Sequence, residues 1–219
     1  MKSSRKTHKI VREVILLNNY ENYKRARDAA WQLLIDCEID KLPVCLNRIC
    51  RHYSWRLVSY KRGCSTIEKI GLRDMFDQTD GFCIVQGGQY YIFYNETMPH
   101  RRQRFTIAHE IGHIILGHVS NGQCTRINRE PDPNDDPAET QANQIAARIL
   151  APACVLHSIQ ALTAADIAKT CDISLTAAQF RAERMAELER RNMYLSHPLE
   201  RQVFTQFQSY IRRVIAGGR

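Results

Sequence analysis

The segment Phe105–His118, FTIAHEIGHIILGH, constrains this chain more than any other. It holds His109-Glu110-Ile111-Gly112-His113, an H-E-x-x-H pattern whose chemistry requires an α-helix. Helical residues four apart lie one above the other, so both imidazoles face the same way and can share one metal ion. Glu110 lies about 100° further round and can reach a water on that metal. Phe105, Ala108, Ile111, Gly112 and Ile115 are apolar or small, so the helix is expected to be buried on one side. Two histidines buried there without partners would be costly, and a shared metal removes that cost. The plainer alternative, two core histidines bonded to carbonyls, gives the intervening glutamate no reason to be there.

A catalytic zinc site normally takes three protein ligands and keeps a fourth position for water. A third histidine at the H-E-x-x-H-x-x-G-x-x-H spacing is excluded, because Gly117 lies four residues and His118 five residues past His113. On a continuous helix His118 would point about 140° away from the His109/His113 face. A carboxylate on a following helix is the other option, and Glu139 is the best placed. Asn143 lies one turn beyond it and can hydrogen-bond a ligand from behind. Ala142 and Ala146 keep that helix face small enough for two helices to approach closely. Glu139 also fits a capping box, Asp136-x-x-Glu139, so the residues alone allow ligand or cap. The histidine pair's need for a third partner favours the ligand. If Glu139 only caps, Asp135 and Asp136 are the next carboxylates.

Around this segment the pattern predicts mixed α and β structure. Helices are expected from Tyr23 to about Glu38, with Ala26, Ala30, Leu33 and Leu34 at helical spacing, and over about 43–53, with Pro43 in the first turn. Trp55–Tyr60 alternates as a strand, and Asp74–Asp77 reads as a helical turn. Phe82–Gln86 and Gln89–Asn95 flank Gly87-Gly88 as a hairpin. The metal helix is expected over Pro99–His118. The proline-rich stretch 119–136 is a loop, and Asp136 caps a helix that begins at Pro137 and runs to Leu150. A short segment follows Pro152. Thr163–Thr170 and 175–191 read as capped helices, and Leu199–Ile215 as one last amphipathic helix before a frayed tail.

The 219 residues carry a net charge of +8, unevenly spread. Residues 1–30 hold eight Lys/Arg against three acids, 41–70 hold seven against one, and Arg101, Arg102 and Arg104 form a further cluster. Residues 130–139 hold five acids. Without interleaved aromatics, the basic regions read first as a solubilising surface and only second as a nucleic-acid footprint. No run of eighteen apolar residues exists, and the basic start followed by the short Ile10–Leu17 stretch is no signal peptide. Eight scattered cysteines with no C-x-x-C read as reduced, mostly buried thiols of a cytoplasmic protein.

HEIGHIILGH followed by PAETQANQIAARILAP resembles the ImmA/IrrE family of metallopeptidases, as do the run ending YNE and the helix pair IAKTCDISLTAAQFRAERM. The family's form is HELGH on one helix and E-x-x-x-[ND]-x-F-A-A-x-L-L-M-P on the next. Here Ile145 stands for the usual Phe and Ala151 for the usual Met, both packing positions. The resemblance spans roughly residues 75–190. It implies an α+β fold with a zincin-like core, a small sheet packed on the H-E-x-x-H helix, and C-terminal helices resembling a helix-turn-helix. It implies His109, His113 and Glu139 as metal ligands, Glu110 as catalytic base and Zn²⁺ as cofactor, with Mn²⁺ or Fe²⁺ as alternatives. Its members cleave one dedicated transcriptional repressor in the cytoplasm.

The expected organisation is an N-terminal arm (1–19), the metallopeptidase core (20–157), a helix-turn-helix-like unit (158–191) and a C-terminal helix with tail (192–219). Residues 158–191 carry five basic and five acidic residues, and this neutral balance argues against sequence-specific DNA binding by that unit. His118, His157 or a tyrosine are candidates for stabilising an oxyanion. Gln89–Asn95 is either the sheet edge on which a substrate strand pairs or an ordinary core strand. The competing function is a metal-stabilised regulator that binds a repressor or DNA without cleavage. An intact Glu110 favours the enzyme.

Overall fold

Alternation along three short strands decides what the small sheet covers. A computed structural model describes residues 20–120, Thr125 and 136–217. Its sheet contains β1 (Arg56–Ser59), β2 (Gly81–Gln86) and β3 (Gln89–Tyr94) in the order β1-β3-β2. β1 runs parallel to β3, with Arg56 opposite Tyr91, and β2 runs antiparallel to it, with Cys83 opposite Ile92. Successive side chains point to opposite faces. Phe82, Ile84 and Phe93 join Tyr60 and Ile67 of α3 (Tyr60–Lys69) and Met75 of α4 (Met75–Gln78) in one apolar cluster. Cys83, Val85 and Ile92 face the other way, into the larger core.

That core is mostly helical. It collects Ala26, Ala30 and Leu33 from α1 (20–36), Ile49 from α2 (Leu46–His52), and Ile107 and Ile111 from α5 (His100–Leu116). Ile145 and Ile149 come from α6 (Pro137–Leu150), and Val155 from α7 (Ala153–Ser158). Ile167 of α8 (Ala164–Cys171), Met185 of α9 (Leu175–Arg190), Val203 of α10 (Pro198–Gln206) and Ile211 of α11 (Gln208–Gly217) continue it. The result is a mixed α+β structure in which α5 lies between the sheet and α6, an arrangement that fits a zincin-like core. Among the described residues no helix is long and apolar enough to cross a membrane.

Several local expectations change. Strand β1 stops at Ser59, whose hydroxyl accepts from the Arg62 N–H at 3.4 Å and starts α3, a helix with no forecast. Pro43 precedes α2 instead of opening it. The last helix is two, broken at the buried Phe207; Gln206 there donates to the carbonyls of Leu34 (2.8 Å) and Ile39 (2.6 Å), tying the end of α10 to the end of α1. β3 lies in the middle of the sheet, so Gln89–Asn95 is the core strand and offers no open edge. The arm 1–19 and most of the loop 119–136 lie outside the described residues. Seven cysteines are described, five of them buried, and none forms a disulfide.

The arginine cluster makes contacts within the chain, with Arg104 largely buried and Arg101 and Arg102 about half exposed. Arg104 donates to the carbonyls of Asp172 (3.1 Å), Val44 (3.1 Å) and Cys171 (3.3 Å), which anchors the α8–α9 turn to α5. Arg101 pairs with Asp172 at 3.2 Å, and Arg102 pairs with Asp80. Arg25 of α1 donates to Leu116 O at 2.7 Å, satisfying a carbonyl at the negative end of α5. These contacts fix the helix that carries the H-E-x-x-H residues.

Candidate metal centre

Helix α5 is buried almost all round from Thr106 to Ile114, so its polar residues there need partners within the protein. His109 and His113 are 1% and 2% exposed, and their Nε2 atoms lie 2.9 Å apart. Glu139, in the first turn of α6, closes a triangle: Oε2 is 3.1 Å from His109 Nε2 and Oε1 is 3.2 Å from His113 Nε2. Four ligands about 2.05 Å from a zinc ion lie about 3.3 Å apart in a tetrahedron. The triad thus has nearly the dimensions of one tetrahedral face, and the three side chains form a group that could hold a metal ion.

The outer ring nitrogens are held as well. His109 Nδ1 lies 2.8 Å from Asn143 Oδ1, and His113 Nδ1 lies 3.2 Å from His118 Nδ1. An acceptor at each Nδ1 would hold the proton there when a metal takes both Nε2 lone pairs. His118 reaches this position because α5 ends at Leu116, not at His118: Gly117 adopts φ 73° and turns the chain back, so that the His118 N–H donates to His113 O at 2.9 Å. Burial first, then His113, push the His118 pKa down, which keeps it a neutral acceptor. Burial would raise the Glu139 carboxyl, but hydrogen bonds from His109 and His113 overcome it and hold the pKa down to about 2.

Helix α6 starts where Asp136 accepts the Ala138 N–H at 2.9 Å, and Pro137 needs no donor of its own. Asp136 therefore serves as the cap, while the Glu139 carboxylate faces the histidines. Asp135 lies outside the described residues. The close approach of the helices has a specific cause. A Cβ on Gly112 would sit 3.0 Å from Ala142 Cα and 3.3 Å from Ile145 Cβ, so glycine lets α6 pack closer to α5 than a larger residue would, which brings Glu139 and Asn143 within reach.

Glu110 is fully buried on the sheet side of α5. Its Oε2 accepts from the Thr125 hydroxyl at 2.5 Å. Thr125 in turn exchanges two bonds with Cys83 of β2: the Cys83 N–H donates to Thr125 Oγ1 at 2.9 Å, and the Thr125 N–H donates to Cys83 O at 3.0 Å. Glu110 Oε1 is buried with no hydrogen-bond partner among the described residues. A buried carboxylate oxygen left this way is costly unless a group outside the chain uses it. Thr125 is an addition that the sequence does not announce, and His118, a candidate there for the oxyanion, lies against His113 Nδ1. Thr125 carries no signal in a loop without periodicity, whereas Gly117 before His118 was a legible helix stop. His157 bonds Glu189 at 2.8 Å and stacks on Tyr194, and none of these is a triad residue.

Comparison with curated proteins gave no match. A profile of the IrrE N-terminal-like domain, peptidase M78, matches residues 69–190, more than half of the chain. The matched span runs from the last residue of α3 to the last of α9 and takes in the triad, Glu110, Asn143 and Thr125. On that match, and with a three-ligand group on two helices beside a buried carboxylate, the chain belongs to the IrrE N-terminal-like family of metallopeptidases.

Proposed function

We propose that this protein is a cytoplasmic zinc-dependent endopeptidase that cleaves a helix-turn-helix transcriptional repressor and so relieves repression. The observation that carries the catalytic part is the buried Glu110 Oε1, without a hydrogen-bond partner among the described residues, in the turn that also carries His109 and His113 of the metal group. A site that only stabilises structure has no use for a buried carboxylate next to a metal-binding histidine, so the non-catalytic regulator is the poorer reading.

His109, His113 and Glu139 would hold the ion, with Asn143 and His118 fixing the two imidazoles from behind. A zinc ion so held supplies a Lewis acid, polarising a scissile carbonyl and lowering the pKa of an attacking water to about 7. Glu110 takes the proton from that water through Oε1 and delivers it to the departing amine. Thr125 keeps the carboxylate aimed by occupying Oε2. Manganese or iron would suit the same nitrogen and oxygen donors.

A repressor as substrate accords with the family resemblance and with the need of an intracellular protease to read more than one bond. The α8–α9 pair, with its neutral charge and its turn anchored by Arg104, suits packing or substrate docking better than reading DNA. The test is to incubate the zinc-loaded protein with the repressor encoded beside it and with casein. Discrete repressor fragments, absent with Glu110→Gln, support the proposal. Casein cut at many sites with the repressor intact would leave a general peptidase.

A further inference from the structure

A cavity of about 740 Å³ lies beside the triad, between α6 and α9, with Phe105 of α5 and Tyr23 of α1 in its walls. Asn143, whose amide oxygen backs His109, lines it, so the cavity begins one side chain away from the metal position. Helices α5 and α6 run antiparallel here, since Gly112 meets Ala142 and His109 meets Asn143. The cavity follows them away from the triad, past Ala147, to Arg148, Arg181 and Arg184. A second cavity, of about 460 Å³, opens on the same three arginines from the other side and adds Arg27 and Arg191.

These guanidinium groups are poorly compensated. Arg148 donates to Gln144 O at 2.8 Å and lies over the Tyr23 ring, 4.6 Å from its centre. Arg181 donates to Ala151 O at 2.6 Å. Neither forms an ion pair with a carboxylate among the described residues, whereas Arg184 pairs with Glu187 and donates to the Tyr23 hydroxyl. Glu200 lines the second cavity without an ion pair to these arginines among the described residues, and burial pushes its carboxyl up. Burial and then Arg148 press the Arg181 pKa down to about 10. Fixed cations in a desolvated cleft are normally matched by an anion. The rest of the lining mixes apolar residues such as Phe105, Leu150 and Ile173 with uncharged polar ones such as Thr140 and Gln144, and Phe180 stands 68% exposed among them.

We infer that this cleft is the substrate groove and that Arg148 and Arg181 recognise an acidic side chain, Asp or Glu, of an extended substrate segment. The inference rests on the peptidase reading and adds its specificity. Glu139 to Arg148 spans nine residues of helix, about 13 Å at 1.5 Å per residue. An extended peptide covers that in about four residues, which places the acidic side chain about four residues from the scissile bond. The uncharged walls, with Phe180, take the intervening side chains. Guanidinium–carboxylate recognition suits this position because it is directional and can be bidentate.

The test uses full-length zinc-loaded Glu110→Gln protein as bait for a displayed library of random linear peptides. Binding is then read without turnover. Retained peptides should carry Asp or Glu at one fixed position, and each should bind about ten- to a hundredfold tighter than its Asn or Gln counterpart. Arg148→Gln and Arg181→Gln should erase that difference with zinc content unchanged. Ala147→Glu places a carboxylate in the groove without removing any contact, and should erase it too if the arginine variants fold poorly. No retained peptide, no acidic preference, or a preference that survives these variants overturns the inference. So does inorganic phosphate that stabilises the protein in an Arg181-dependent way without competing with any peptide. Wild-type protein on the same peptides separates the two ideas. Acid-dependent binding without cleavage sinks the peptidase and keeps the groove, whereas cleavage indifferent to acidic residues does the reverse.

Discussion

Replacing Thr125 with valine keeps the side chain's shape and removes one hydroxyl. That hydroxyl does two things: it accepts from the Cys83 N–H at 2.9 Å and donates to Glu110 Oε2 at 2.5 Å. Glu110 Oε1 already lacks a partner among the described residues, so the variant would leave both carboxylate oxygens without one from them. A hydrogen bond to a charged group contributes about 1.5–3 kcal/mol. If that bond holds the carboxylate in its working orientation, the loss appears in turnover as about ten- to a hundredfold. The assay is hydrolysis of a substrate peptide at saturation, with zinc content measured on the same sample. Thr125→Val should lower kcat with stoichiometric zinc retained, and Thr125→Ser, which keeps the hydroxyl, should recover most of it. A Thr125→Val protein with wild-type kcat would show that Glu110 needs no second anchor, and a Ser variant as slow as Val would mean that the loop's packing matters and the hydrogen bond does not.

Three further outcomes follow from the same geometry. Asn143→Leu removes the acceptor at His109 Nδ1, and competition with a chelator should show zinc affinity about ten- to a hundredfold weaker with Glu110 chemistry otherwise intact. Gly112→Ala drives a methyl to 3.0 Å from Ala142 Cα, and denaturant unfolding should show a loss of about 1–3 kcal/mol together with weaker zinc binding. Metal-stripped and zinc-loaded protein should respond oppositely to pH. Burial lowers the His109 pKa, but Glu139 and Glu110 reverse this and raise it above the ordinary 6.5. The pair His109–Glu139 therefore stabilises the stripped protein fully below pH 6.5 and less as pH rises through the folded value. Its melting temperature should fall over that range, while that of the zinc form should rise as protons leave the ligands.

The parts that repeat were the parts that could be read. H-E-x-x-H on a helix and the small residues Ala142 and Ala146 rest on spacings of four, the Asp136-Pro137 start on adjacent residues, and the folded chain brings His109, His113, Glu139 and Asn143 together. Two β-rich runs around Gly87-Gly88 likewise marked the β2–β3 hairpin. What escaped was fixed by contacts between segments distant in sequence. Helix α3 has Gly63 at its centre and a single buried aliphatic, Ile67, so it reads as a loop. In the fold, a Cβ at Gly63 would lie 2.7 Å from the Phe93 ring, which makes glycine the residue that lets α3 lie on the sheet. The central place of β3 depends on β1 pairing across more than thirty residues, which no local pattern encodes. Thr125 acquires its meaning from Cys83 and Glu110, which lie 42 and 15 residues away.

The ligand set is the central claim, and X-ray absorption at the zinc edge of the stoichiometrically loaded protein tests it most directly. The account predicts a first shell of nitrogen and oxygen only, at about 2.0–2.2 Å, with two imidazole scattering patterns and no sulfur. Glu139→Ala should lose one oxygen from that shell or lose the metal. Sulfur scattering at about 2.3 Å, or a shell unchanged by Glu139→Ala, would place the metal on cysteines or on another carboxylate and contradict the account.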